Sequence, residues 1–330
     1  MNAKNIRIVY MGTPDFAVAP LKNLVENNYN VVGVITTADK PSGRGKKIHE
    51  SAVKKYAKEQ GLTILQPIKL KDPEFNKQLA NLKPDLQIIV AFRMLPEIVW
   101  QLPKLGTFNL HASLLPQYRG AAPINWAIIN GEKTTGITTF LLDKEIDTGK
   151  ILLQEKIEIT ETDNVGSLHD RMMEKGAKLV LRTIDLIAEG NLSPKLQKEL
   201  ISDVLMLKPA PKIFKNDCKI NWEQNGKKTY DFIRGLSPYP TAWTIFQSIN
   251  GDKVLSAKIF ETEWIEEEHD FLQSEIDSDK KTYFHIAVPG GFISVKSIQL
   301  EGKKRMDITD FLRGFDVESY LIDPKPSCLM

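Results

Sequence analysis

Residues 86–111 read LQIIVAFRMLPEIVWQLPKLGTFNLH. Two strand-like runs, Leu86 to Phe92 and Thr107 to His111, stand either side of the segment Arg93 to Gly106. The first is too continuous to be amphipathic, so it predicts a central strand covered on both faces. The same pattern extends toward the N-terminus. Ile6 to Met11 is a short apolar run that ends at Gly12-Thr13-Pro14. Phe16 to Asn28 predicts a helix, Val31 to Thr36 a strand, Glu50 to Gln60 a Lys-rich helix and Thr63 to Leu65 a third short strand. Strands of this kind alternating with helices mean an α/β domain with a parallel sheet. Toward the C-terminus, Thr134 to Leu142 and Ile151 to Thr160 add two strands. Val165 to Glu189 has helical spacing, with Leu168, Met172, Leu179, Ile184 and Ile187 as its apolar stripe.

Beyond Gly190 the texture changes. Gly190, Pro194, Pro209 and Pro211 punctuate a linker-like stretch. From about Lys208, short β-type segments (Ala242 to Phe246, Val254 to Phe260, Tyr283 to Ala287, Phe292 to Leu300) are separated by Gly, Asn and Asp turns. They predict a small β-barrel or sandwich. The expected division is 1–190, a linker at 191–207, and 208–330. Two domains suit 330 residues at about 150 residues each.

With 42% apolar and 26% charged residues, the composition is that of a globular protein, which excludes disorder, collagen and coiled coil as the main class. The formal net charge of +2 taken alone argues against a nucleic-acid binder. Its distribution leaves room for one. Before Lys208 there are 27 basic against 23 acidic residues, and from it onward 17 against 19. Nine of the later acids lie in Glu261 to Asp279, which reads as a solvated loop. Four basic residues crowd Lys40-Pro-Ser-Gly-Arg44-Gly-Lys46-Lys47, a loop dense enough to grip phosphates. Cys218 and Cys328 make neither a disulfide framework nor zinc-ligand spacing, which fits a reducing cytosol. Lys4 and Arg7 inside the first apolar segment make a poor signal peptide, and no run of 18 apolar residues is present to span a membrane.

The first βα turn lacks G-x-G-x-x-G, which weakens a dinucleotide-binding reading, and no P-loop is present. Chemistry concentrates instead in Asn109 to Gly149. Period-two geometry puts Asn109 and His111 on one face of a strand end, with Phe108 and Leu110 on the other. Ligands of open parallel sheets bind beyond such carboxyl ends. The imidazole moves a proton near neutral pH, and the amide donates to an oxygen that gains negative charge. A lone His is more often a core residue; the second polar group on its face favours function. Ser113-Leu114-Leu115-Pro116 then forms a Pro-stiffened loop that presents backbone to a flat ligand, although an ordinary βα connection explains it equally well. Asp147 precedes Thr148-Gly149; turn chemistry accounts for it, and its functional reading is a carboxylate that orients a neighbouring His.

Asn109-x-His111, followed by Ser-Leu-Leu-Pro-x-Tyr-Arg-Gly-Ala-Ala-Pro and by Asp147-Thr-Gly, resembles the folate-dependent formyltransferases. The N-terminal Gly-Thr-Pro-Asp-Phe-Ala, the basic loop, and Ile233-Arg-Gly-Leu-Ser-Pro-Tyr-Pro240 narrow the resemblance to members whose acceptor is methionyl-tRNA. It covers essentially the whole chain and implies a Rossmann-like formyltransferase domain with a parallel-rich sheet, followed by an OB-like tRNA-binding barrel. It further implies 10-formyltetrahydrofolate as donor and the α-amino group of initiator methionyl-tRNA as acceptor. Asn109, His111 and Asp147 match the family's catalytic residues, and Ser113, Leu114, Leu115 and Pro116 its folate-binding loop. Lys40, Arg44, Lys46 and Lys47 match the loop that enters the acceptor stem, with Arg44 as its contact. No metal, no membrane, a cytoplasmic location and a monomer are expected. One departure is Arg93, where many members carry a small residue in a segment that shapes the folate pocket. Two other readings stay open: formyl transfer to a small amine such as glycinamide ribonucleotide, and a non-catalytic tRNA binder.

Overall fold

A computed structural model describes residues 1–42, 47–201 and 203–323. They divide into two compact units. The first comprises Met1–Pro123, Thr134–Glu158 and His169–Ala210; the second comprises Ile124–Lys133, Ile159–Leu168 and the chain from Pro211 onward.

The first unit is built on β1 (Ile8–Gly12), β2 (Val31–Ile35), β5 (Ile64–Leu65), β6 (Leu86–Val90), β7 (Thr107–His111), β8 (Thr134–Leu141) and β9 (Ile151–Glu158). A short hairpin of β3 (Lys40–Ser42) and β4 (Lys47–His49) stands apart from this sheet. The strand order is β5-β2-β1-β6-β7-β8-β9, parallel through β7 and antiparallel at its last two pairings. Every residue of β1 and β6 is buried, as their continuous apolar runs require. The chain winds outward from β1 through β2 to β5, then returns to β6 on the other side. That reversal makes the carboxyl edge beside β1, β6 and β7 the place for a ligand.

Helices α1 (Val18–Glu26), α2 (Ala52–Glu59), α3 (Pro73–Asn81) and α4 (Glu97–Trp100) connect these strands. The sequence reading placed no helix at α3 or α4. For α3 the start signal is present: Asp72 Oδ1 accepts the Glu74 N–H at 2.8 Å, and Pro73 opens the first turn. α5 (Pro123–Ile129) follows the loop after β7, and α6 (Val165–Glu189) occupies the span its pattern predicts. On α6, Leu168, Met172, Leu179 and Ile184 are buried. β6 stops at Val90 because Ala91 turns left-handed, at φ +46°.

The second unit holds α7 (Gly226–Arg234), β10 (Ala242–Ser248), β11 (Val254–Glu266), β12 (Ile276–Ser278), β13 (Phe284–Val288), β14 (Gly291–Leu300), β15 (Met306–Asp307), α8 (Ile308–Gly314) and β16 (Tyr320–Ile322). The sheet is antiparallel in the order β12-β13-β14-β11-β10-β16, with β15 added to β14. Lys280, just past β12, pairs at 2.6 Å with Glu318, just before β16, so the sheet's ends come together as an OB-like near-barrel. Trp222, Phe246, Phe284 and Phe311 fill its core.

The acidic segment Glu261 to Asp279 is not the solvated loop its charge suggests. Its first residues continue β11 through Glu266, and Ile276–Ser278 forms β12. Glu261 and Glu263 face solvent while Thr262 and Trp264 alternate inward, so period two overrides the charge run. Trp264 also explains Gly226, where a Cβ would stand 1.9 Å from the indole. On α7, Arg234 and Asp231 are both buried, with Arg234 Nε 2.7 Å from Asp231 Oδ1. Lys227 Nζ joins the same carboxylate at 2.7 Å. Arg234 Nη1 donates to the carbonyls of Asp163 at 2.8 Å and Thr160 at 3.2 Å.

Candidate active site

β7 carries Asn109 and His111 to the carboxyl edge of the first sheet, between Ile89 of β6 and Phe140 of β8. His111 is buried, and its ring stands edge-on to Phe140. Its Nε2 lies 2.9 Å from the carbonyl oxygen of Tyr118. A carbonyl only accepts, so this contact assigns a proton to Nε2. Nδ1 is left facing Asp147, whose Oδ2 is 3.8 Å away. Asn109 is half-buried, and its amide makes no hydrogen bond among the described residues. An amide held on a rigid strand with its donors unused is available to a ligand.

The loop after β7 is held by its neighbours. Ser113 is fully buried, and its hydroxyl donates to the Gln117 carbonyl at 2.6 Å. Thr138 Oγ1 donates to the Ser113 carbonyl at 2.6 Å and accepts the Leu115 N–H at 3.2 Å. Gln154 Nε2 donates to the Leu115 carbonyl at 2.8 Å. Leu115 packs inward with Phe140 and Ile151. Of the four loop residues expected to meet folate, Ser113 and Leu115 therefore spend their side chains inside the unit. Leu114 and Pro116 are half-buried. The Leu115–Pro116 bond is cis.

Asp147 reaches His111 from the loop between β8 and β9. It sits in the left-handed region at φ +55°, and its Oδ2 accepts the Gly120 N–H at 3.0 Å. Gly120 itself, at φ +127°, has no room for a side chain: a Cβ there would stand 2.4 Å from the Ala210 carbonyl oxygen. Sequence reasoning missed Gln197, which is buried and donates at 2.8 Å to the carbonyls of both Asp147 and Gly149. Its Oε1 accepts from Arg119 Nη2 at 2.7 Å. A lone Gln in a Pro-punctuated stretch carries no signal that could have found it.

Around this edge the two flanking loops expose apolar side chains, Met94 after β6 and Ile146 beside Asp147. An unengaged amide beside exposed apolar groups fits a flat ligand with a polar edge. Arg93 does not point into an interior pocket. It is exposed, and its guanidinium donates to the Ile68 carbonyl at 2.9 Å and to that of Pro67, bracing the segment that follows β5.

The expected nucleic-acid loop is described only at its base. Lys40 and Lys47 lie on β3 and β4, and Arg44 and Lys46 lie outside the described residues. Below the hairpin, Gln66 Nε2 donates to Asp39 at 2.9 Å, and Lys54 pairs with the same carboxylate. The Lys54 ammonium, followed by Gln66, holds the Asp39 carboxyl below its ordinary range. Lys54 and Lys58 also pair with Glu50, so they brace the hairpin's base. Among the described residues, no cluster of three His, Cys, Asp or Glu side chains could hold a metal, and no helix is long and apolar enough to cross a membrane.

Residues 4–184 match the family model described as formyl transferase, and residues 212–316 match that of the formyl transferase C-terminal domain. A methionyl-tRNA formyltransferase from Parabacteroides distasonis is 57% identical over 96% of this chain and 97% of the relative. One from Bacteroides thetaiotaomicron is 58% identical over the same shares. Among solved structures, an N-formyltransferase from Helicobacter canadensis in complex with folinic acid and dTDP-3-aminofucose shares the fold. Its TM-score is 0.64 at 20% identity, over 91% of this chain and all of that one. The chain therefore belongs to the formyl transferases, as a member of the methionyl-tRNA formyltransferase family.

Proposed function

We infer that this chain transfers the formyl group of 10-formyltetrahydrofolate to the α-amino group of methionyl-tRNA. The observation that carries the reading is the unengaged amide of Asn109 beside a histidine whose Nδ1 faces a carboxylate. 10-Formyltetrahydrofolate supplies an activated formyl carbon when bound. Asn109 donates to the formyl oxygen as negative charge grows on it. His111 takes the proton released by the attacking amine at Nδ1, because Nε2 is committed to the Tyr118 carbonyl. Asp147 faces the resulting imidazolium and stabilises its charge. His111 then returns the proton to the departing nitrogen. An ordinary α-amino group has a pKa of about 7.7–8.0, so no stronger base is needed near neutrality.

Residues 1–190 act as the catalytic domain and 208–330 as an OB-like tRNA-binding domain, joined through 191–207. Ser113 to Pro116 contact folate, chiefly through backbone, since two of these side chains are buried. Lys40, Arg44, Lys46 and Lys47 grip the acceptor stem of initiator tRNA, and the enzyme works as a cytoplasmic monomer. Identity of 57% and 58% over 96% of this chain to relatives named methionyl-tRNA formyltransferase favours this acceptor over a small amine.

The test is formyl transfer from 10-formyltetrahydrofolate to charged initiator tRNA and, in parallel, to glycinamide ribonucleotide. Transfer to the tRNA alone is expected; transfer only to the small amine overturns the assignment. In the same assay Arg44→Ala raises KM for tRNA and lowers the slope of log affinity against log salt by about one. An unchanged KM removes the loop from the tRNA site.

A further inference from the structure

Gln197 follows α6 in a segment whose residue types mark no function, yet its carboxamide is saturated. Nε2 donates at 2.8 Å to the Asp147 carbonyl and at 2.8 Å to the Gly149 carbonyl. Oε1 accepts from Arg119 Nε at 3.1 Å and Nη2 at 2.7 Å. Carbonyls only accept and a guanidinium only donates, so these four bonds assign both ends of the amide. The side chain is 2% exposed, which leaves no water to substitute for a lost partner.

The contacts close a circuit. Gln197 joins the Arg119 side chain to the Asp147 backbone. The Asp147 carboxylate returns to the N–H of Gly120, the residue after Arg119. Asp147 is a non-glycine residue at φ +55°, a conformation kept only where the surroundings enforce it. Its carboxylate stands 3.8 Å from His111 Nδ1, a gap that a small rotation of the turn would open or close.

We propose that Gln197 is a positioning residue for formyl transfer: it holds the Asp147 turn against His111 and locks that turn to the Arg119 loop. The proposal rests on the functional reading above. Gln197 touches no substrate on this account. It sets where a charge sits at the moment His111 becomes protonated, and misplacement by about 1 Å is enough to cost on the order of 100-fold in rate.

Two substitutions separate positioning from bulk. Gln197→Glu keeps the shape and the bond to Arg119 but removes both donors and sets an anion against two carbonyls. Gln197→Met fills the space with no polar atom. With wild type forming formylmethionyl-tRNA, each variant lowers kcat about 10- to 100-fold while KM for folate and for tRNA stays within about twofold. A kcat within about twofold of wild type, or a loss confined to KM, overturns the proposal. The second readout is a double-mutant cycle. If Gln197 acts through Asp147, adding Gln197→Met to Asp147→Asn costs less than about threefold further; a full multiplicative loss overturns the proposal. Thermal unfolding of each variant is followed alongside, and if Gln197→Met does not fold, Gln197→Glu decides. A wild type that transfers no formyl group to tRNA overturns the functional reading itself, whereas an active wild type with indifferent Gln197 variants overturns only the positioning role.

Discussion

The end of β7 in the first unit and the α7 cluster in the second both keep ionisable side chains from solvent, but they hold them differently. On α7, Asp231 receives Arg234 and Lys227 at 2.7 Å each, and Arg234 spends a further nitrogen on two carbonyls. On β7, the carboxylate stands 3.8 Å from the imidazole, and the Asn109 amide two residues away bonds to nothing among the described residues. Burying a charge is costly unless it is paired closely. Where folding is the only demand, the contacts close up. Where a ligand must enter, bonding capacity is left over. Slack in the polar contacts, rather than charge, is what separates the candidate site from the α7 cluster.

Three substitutions test the contrast. The largest effect is expected at Asp231→Ala, which leaves Arg234 buried without its carboxylate. Losing one member of a buried pair costs about 3–5 kcal/mol, read as a lower urea midpoint. A loss below about 1 kcal/mol would mean that the α7 cluster is not structural. Next comes Asn109→Ala. Its kcat falls by about 100- to 1,000-fold, as for a lost oxyanion donor, while the unfolding midpoint moves little because the amide has no internal bond to lose. Near-normal turnover, or unfolding in place of inactivation, reverses the comparison. The smallest effect is expected at Glu263→Gln. Its partner Lys296 is 2.8 Å away, but the two side chains are 66% and 42% exposed. Stability changes by no more than about 1 kcal/mol, so a contact as short as those on α7 matters little without burial.

Legibility in the sequence followed the physics of each segment. Thr107–His111 and Val165–Glu189 match their predicted spans because periodicity and continuous burial are local properties of a strand or helix. The helix at Pro73–Asn81 escaped although Asp72 and Pro73 announced it; its apolar stripe is thin, with only Phe75 and Leu79 buried. The strand through Glu266 was hidden by charge, since an exposed Glu can alternate as well as any polar residue. Ser113 and Leu115 sit in a motif that implies ligand contact, yet packing turns both side chains inward.

The main strands of the first sheet, its parallel character, and Asn109, His111 and Asp147 as candidate site residues were legible in the sequence by itself. These depend on local period and on which side chains can do the chemistry. Tertiary structure decided the rest. It brought Asp147 to His111 across a loop, exhausted the hydroxyl of Ser113 on its own turn, and placed Gln197 under the site from a segment that looks like a connector. Each of these is a contact between residues that are distant in the chain or turned by packing. A residue's type states which bonds it can make, and only the fold states which remain to be made.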